Sequence, residues 1–175
     1  MQKSILFRQW QSPCGQLTIG AIDNQLVMSD WTEGWHHEAI VKRFNRLTGF
    51  EWTEGENPII RSAIVQLQEY FDGKRSRFDL PLRLIGTPFQ ITVWRALEKI
   101  SYGQLCSYAD IARAVGNPKA VRAVGGAVGQ NPFSIIIPCH RVVGSDKSLT
   151  GYGGGYKAKK FLLRLENSQT ELFSN

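Results

Sequence analysis

The hydrophobic pattern splits the chain into two parts with different periods. Lys3 to Trp10, Gln16 to Ile22 and Gln25 to Trp31 are three short segments of β character, the first of them alternating apolar and polar residues, which predicts three strands. Ser12-Pro13-Cys14-Gly15 separates the first two, and Asp23-Asn24 leaves a two-residue hairpin gap before the third. An antiparallel meander is therefore expected. Beyond it, Trp35 to Leu47 and Pro58 to Phe71 carry apolar residues at helical spacing, with Ile60, Ile64, Leu67 and Phe71 three or four positions apart. These two helices should cover the sheet. Phe78 to Leu82 reads as a short extended segment, and Leu84-Ile85-Gly86 as the exit from a first domain spanning residues 1–85.

Residues 86–175 read as a second, mainly helical domain. Thr87-Pro88-Phe89-Gln90 offers a capping side chain, a first-position proline and a capping-box partner. Phe89, Val93, Leu97 and Ile100 then form one apolar stripe. Ser107-Tyr108-Ala109-Asp110 opens a second helix, which carries Ile111, Ala112 and Val115 and stops at Gly116. Asn117-Pro118 signals a third, running through Lys119, Ala120, Val121, Arg122, Ala123 and Val124 toward Gly129. Two short helices across a glycine-containing turn outline a helix-turn-helix, although small residues on the second helix also suit plain close packing. Across that helix, only Lys119, Arg122 and Gln130 could reach base edges. Ile135-Ile136-Ile137 reads as a buried strand-like run, and Lys157 to Glu166 as a basic amphipathic helix. The fold class is α+β: an N-terminal antiparallel sheet with helices, then a winged-helix-like domain.

Composition narrows the class. Hydrophobic residues make up 42% and charged residues 21%, enough apolar material for a core rather than a disordered chain. No run of about 18 apolar residues occurs and the opening segment lacks a signal-peptide stretch, so a cytoplasmic protein without a membrane partner is expected. Cys14, Cys106 and Cys139 are odd in number and widely spaced, which favours a reducing compartment over a disulfide framework. Residues 1–85 hold 10 basic and 10 acidic side chains, whereas residues 86–175 hold 11 and 5, so the whole excess of +6 lies in the second part. A basic module on a neutral scaffold is the layout of a polyanion binder.

The candidate chemistry sits at Pro138-Cys139-His140-Arg141-Val142. A thiol beside an imidazole and a guanidinium has partners able to lower its pKa and supply a nucleophilic thiolate. In an extended segment neighbouring side chains point apart, so Cys139 and His140 would cooperate across a turn or through a water. No Cys-x-x-Cys or His-x-x-x-His spacing occurs and His36-His37 is a poor chelating pair, so no metal is expected. Gly151-Tyr152-Gly153-Gly154-Gly155 matches neither phosphate-loop spacing, and no cofactor is expected. Such a loop lets backbone approach a flat ligand, with Tyr152 over a ring face. Glu166 can orient His140 as the third member of a relay, or stand solvated.

Taken together, Pro138-Cys139-His140-Arg141-Val142, Asn131-Pro132 upstream and the Tyr-Gly-Gly loop downstream resemble the O6-alkylguanine-DNA alkyltransferases, also called methylated-DNA:protein-cysteine methyltransferases. The likeness runs from Gly86-Thr87-Pro88-Phe89-Gln90 through Arg122-Ala123-Val124-Gly125 to Glu166. The first domain resembles the family's sheet-plus-helix domain in outline only. The resemblance implies that Cys139 irreversibly takes the alkyl group from O6 of a guanine flipped out of double-stranded DNA, once per molecule, with O4 of thymine open as a second site. It implies that His140 deprotonates Cys139 through a water, Glu166 orients His140, Tyr108 donates a proton to the leaving guanine and Asn131 braces the turn. Arg122 would fill the gap in the base stack, with Lys119, Ala120, Ala123 and Gly125 against the DNA. Tyr152, Gly153, Val142 and Tyr108 would hold the base. A monomer is expected. Many members carry serine where Gly153 stands, so here only a backbone amide faces the base at that point. Neither the family's zinc-ligand pattern nor its phosphotriester-repair domain is seen. A non-catalytic DNA-binding module and a turnover Cys-His hydrolase remain as alternatives; Cys139 weighs against the first, and no sequence feature calls for the second.

Overall fold

The structure is a computed structural model and describes residues 3–144 and 152–169. The meander forms as those segments and turns predict: β1 (Ser4–Ser12), β2 (Gly15–Ile22) and β3 (Gln25–Trp31) are antiparallel neighbours. Their hairpins close at Ser12 opposite Gly15 and Ile22 opposite Gln25. Asp23 adopts a left-handed φ of 51°, which aspartate tolerates better than most residues. A strand that the pattern does not predict, β4 (Glu51–Glu54), pairs parallel to β1 and completes the order β3-β2-β1-β4. Its Glu-Trp-Thr-Glu sequence is mostly exposed, so it owes its regularity to a partner far away in sequence.

Helix α1 (His37–Thr48) starts later than its apolar spacing suggests, because Gly34, Trp35 and His36 form a turn in which His37 N donates to Gly34 O at 3.0 Å. Helix α2 (Pro58–Phe71) has the predicted bounds, with a first-position proline and the Asn57 side chain accepting from Ile60 N at 2.9 Å. It buries Ile60, Ala63, Leu67 and Tyr70 in the cluster that holds Leu17, Ile19 and Ala21 of β2. Ile40 and Phe44 of α1 join Ile5, Val27 and Met28 in a second, smaller cluster. The segment after α2 runs beside β3, with Leu26 N donating to Pro81 O and Arg83 N to Leu26 O, both at 2.8 Å.

Helix α3 (Pro88–Leu97) opens with the Thr87–Gln90 capping box. Its buried face is Val93, Trp94 and Leu97, with Phe89 left 37% exposed, because Trp94 turns inward and its indole N–H donates to Ala127 O at 2.9 Å. A short strand, β5 (Cys106–Ser107), leads into α4 (Tyr108–Ala114), capped reciprocally by Ser107 and Asp110. Helix α5 (Val121–Gly129) begins after the Asn-Pro signal, since Asn117 and Pro118 belong to a turn closed by Ala120 N donating to Asn117 O at 3.0 Å. The linker between α4 and α5 is thus residues 115–120, entered through the left-handed Gly116.

The isoleucine run is a turn and not a strand: Ile135 has a left-handed φ of 73° and Ile137 N donates to Phe133 O at 2.9 Å. A single 3-10 turn, Cys139–Arg141, follows and runs into β6 (Val142–Val143), parallel to β5. Helix α6 (Gly155–Gln169) closes the chain's described part. The principal core is continuous across the two halves, through Leu17, Leu67, Trp94, Phe133 and Leu162. No helix among the described residues is long and apolar enough to cross a membrane.

Candidate active site

The β5–β6 ladder does the local positioning. Pairing Cys106 with Val142 and Ser107 with Val143 ties the start of α4 to the residues just after Cys139. Tyr108, Asn131, Cys139, Tyr152 and Gly153 consequently line one pocket, together with Asp30, His36 and Lys159. Gly151 lies outside the described residues.

Cys139 is 7% exposed, and burial pushes its thiol up to about 11 despite a hydrogen bond from Asn131 and the charge of Lys159. The expectation of a thiol made acidic by its neighbours therefore fails. Arg141 spends its charge on Glu166, through Nε at 2.8 Å and Nη2 at 3.0 Å, and Nη1 donates to Ile100 O at 2.7 Å. In the 3-10 turn adjacent side chains lie about 120° apart, so Cys139 and His140 are not opposed as in a strand.

Glu166 is fully buried and saturated with donors. Tyr70 Oη donates at 2.6 Å, His140 Nε2 lies at 2.6 Å and Gly103 N at 3.2 Å, in addition to Arg141. Burial raises this carboxyl, but His140 and Arg141 outweigh that effect and hold it well below the usual carboxylate range. An ionised carboxylate only accepts, so His140 carries its proton on Nε2 and presents a lone pair at Nδ1. That Nδ1 is buried with no hydrogen-bond partner among the described residues. Burial also lowers the imidazole pKa and keeps it neutral. Glu166 thus fixes the orientation and tautomer of the His140 ring.

Asn131 braces the turn: Nδ2 donates to Ile137 O at 2.9 Å and Oδ1 accepts from Phe133 N at 2.9 Å. Burial, with a smaller contribution from Cys139, raises the Tyr108 hydroxyl above its ordinary value. Tyr152 is buried, with its hydroxyl accepting from Trp31 Nε1 at 3.1 Å and its carbonyl from Trp35 Nε1 at 3.2 Å. Lys159 Nζ donates to Val142 O at 2.5 Å, leaving that carbonyl one further lone pair.

On the outer face, Arg122 and Ala123 lie exposed in the first turn of α5, with exposed Lys119 and half-buried Ala120 in the linker before it. Gly125 faces Tyr108, where an added Cβ would meet its ring at 3.9 Å. Gln130, expected to be free to reach DNA, is instead held inside by Arg43, whose Nη1 donates to Oε1 and Nη2 to the carbonyl, both at 3.2 Å. Sequence reading also misses Tyr70, Lys159 and His36, which reach the site from other elements and carry no local motif.

Two family models divide this chain between them. Residues 5–84 match the ribonuclease-like domain of 6-O-methylguanine DNA methyltransferase, and residues 88–168 match its DNA binding domain. The chain belongs to the 6-O-methylguanine DNA methyltransferase family. Among relatives of this methyltransferase, the constitutive methylated-DNA--protein-cysteine methyltransferase of Bacillus subtilis is 57% identical over 162 residues, covering 89% of this chain and 92% of its own. That of Haemophilus influenzae is 41% identical over 165 residues, covering 93% and 87%. The crystal structure of Mycobacterium tuberculosis OGT in complex with DNA superposes with a TM-score of 0.81 at 41% identity, covering 94% of each chain.

Proposed function

We infer that this methyltransferase repairs DNA by moving an alkyl group from O6 of a flipped-out guanine onto Cys139, irreversibly and once per molecule. The observation that carries the reading is a buried thiol in a pocket with Tyr108 and Asn131, next in the chain to a histidine held by a buried carboxylate. His140 draws the thiol proton through Nδ1, and sulfur attacks the alkyl carbon. As the S–C bond forms, the C–O6 bond breaks and its electrons pass to the guanine. Tyr108 protonates the departing base and is reprotonated as the His140 imidazolium gives up the thiol proton to solvent, so the proton lost by the thiol is balanced by the one gained on guanine. A thioether offers no leaving group for a second cycle, which makes the protein a stoichiometric reactant.

Reaching O6 requires taking the base out of the stack, at a cost of a few kcal/mol. Arg122 fills the gap, while Ala123 and Gly125 let α5 approach the backbone and Lys119 and Ala120 meet it from the linker. Tyr152, Gly153 and Val142 hold the extruded base. In this reading residues 1–85 form a scaffold and residues 86–175 the DNA-binding and alkyl-acceptor part.

The test is intact and peptide mass spectrometry after incubation with a duplex carrying one O6-methylguanine. The expected result is a gain of one CH2 on the Cys139 peptide, saturating at one per protein. A duplex that binds without any such gain would leave only a damage-recognition role.

A further inference from the structure

We propose that His36 is a base-recognition residue, its Nε2–H donating to N7 of the flipped alkylguanine; the inference rests on the function proposed above. The argument starts from the direction of the hydrogen bonds. A guanidinium only donates, so Arg43 Nη1 at 3.2 Å fixes the carbonyl oxygen of the Gln130 side chain on its own side. The amide nitrogen of Gln130 therefore faces His36 Nδ1, at 3.2 Å. An amide NH2 only donates, so Nδ1 accepts and the ring proton of neutral His36 sits on Nε2. Burial favours that neutral form by lowering the imidazole pKa. Nε2 is itself buried and has no partner among the described residues. An N–H held like this is costly to leave unpaired, and an accepting ligand would satisfy it.

The ring is in the right place to meet such a ligand. His36 lines the pocket that holds Cys139 and Tyr108. It is wedged between α5 and the glycine loop: an added Cβ would lie 2.8 Å from Nε2 at Gly129, and 3.9 Å from the ring at Gly153. Trp35 holds it from outside, with ring centroids 3.2 Å apart, and is itself tied to Tyr152 O. Guanine carries two acceptors on one edge, O6 and N7. In the damaged base O6 bears the alkyl carbon that must face Cys139, which leaves N7 as the unencumbered acceptor beside it.

The experiment compares single-turnover transfer from duplexes carrying O6-methylguanine or its 7-deaza analogue, in which CH replaces N7. It uses the wild-type protein, His36→Ala and His36→Gln. One hydrogen bond predicts that the wild type is about 3- to 10-fold slower on the 7-deaza duplex. His36→Ala should be slower by a similar factor on the ordinary duplex and lose nothing further on the analogue. His36→Gln, which keeps an amide N–H, should retain most of the N7 dependence. Each protein serves as its own reference, so a partly misfolded variant does not disturb the ratio. A wild type indifferent to N7, or a His36→Ala protein with full N7 dependence, would overturn the role of His36 while leaving alkyl transfer intact. A wild type that transfers no methyl group from the ordinary duplex would overturn the functional reading and this inference together.

Discussion

At Cys139 two influences compete, and burial outweighs the stabilising partners. A thiol held near 11 is protonated at neutral pH, so in the proposed function the proton leaves as the sulfur attacks, toward His140 Nδ1. The shift has a consequence for stability, and its sign follows from linkage. An unfolded thiol ionises near about pH 8.5, whereas the folded one holds its proton until about 11. Below that window both states are protonated and the full contribution is present. Within it the unfolded chain releases a proton that the folded chain retains, so stability falls as pH rises. Urea unfolding between pH 8 and pH 10 should therefore show the wild type losing about 1–2 kcal/mol more than Cys139→Ser, whose hydroxyl does not titrate. Equal losses would mean that the folded thiol ionises at its ordinary pH. Of these residues, Cys139, His140, Glu166, Tyr108 and Asn131 stand in motifs readable from the chain alone. Tyr70, Lys159 and His36 were illegible because each reaches the site through tertiary packing, and nothing beside His36-His37 in sequence marks the first as part of the pocket.

Elements were legible where side chain and backbone cooperate locally. Thr87 with Gln90 and Ser107 with Asp110 each cap a helix as their spacing predicts. Legibility failed where distant contacts decide: β4 is ordered by β1, and the Ile135 turn by burial that a strand would also satisfy. Asn117-Pro118 sits between these cases, being a genuine local signal for a turn rather than for a cap. The delayed start of α5 matters for function, because it puts Arg122 in the exposed first turn, directly after a linker bearing Lys119. If Arg122 stabilises the flipped state, its removal affects only substrates that must be unstacked. Arg122→Ala should slow methyl transfer from duplex DNA by about 10- to 100-fold, in keeping with an unstacking cost of a few kcal/mol. Transfer from the free O6-alkylguanine base should stay within about 2-fold of wild type. Equal slowing on both substrates would place Arg122 outside the flipping step.

Over the whole molecule, the halves share one core but not one charge. Ion pairs such as Arg8 with Glu56 at 3.3 Å and Lys42 with Glu38 at 3.0 Å neutralise much of the first half's surface. The second half holds 11 basic residues against 5 acidic, and the exposed start of α5 consists of small residues around a single arginine. Such a face gives affinity through phosphates and offers little with which to read base edges. Two to four phosphate contacts would make binding fall by about 10- to 100-fold between 50 and 200 mM salt, linearly in a log–log plot. Undamaged duplexes of unrelated sequence should bind with nearly equal strength at each salt concentration, as measured by fluorescence anisotropy. A flat salt response, or one duplex favoured strongly over the others, would contradict a repair protein that has to examine every sequence, because discrimination here is assigned to the pocket after flipping and not to the helix that lies on the DNA.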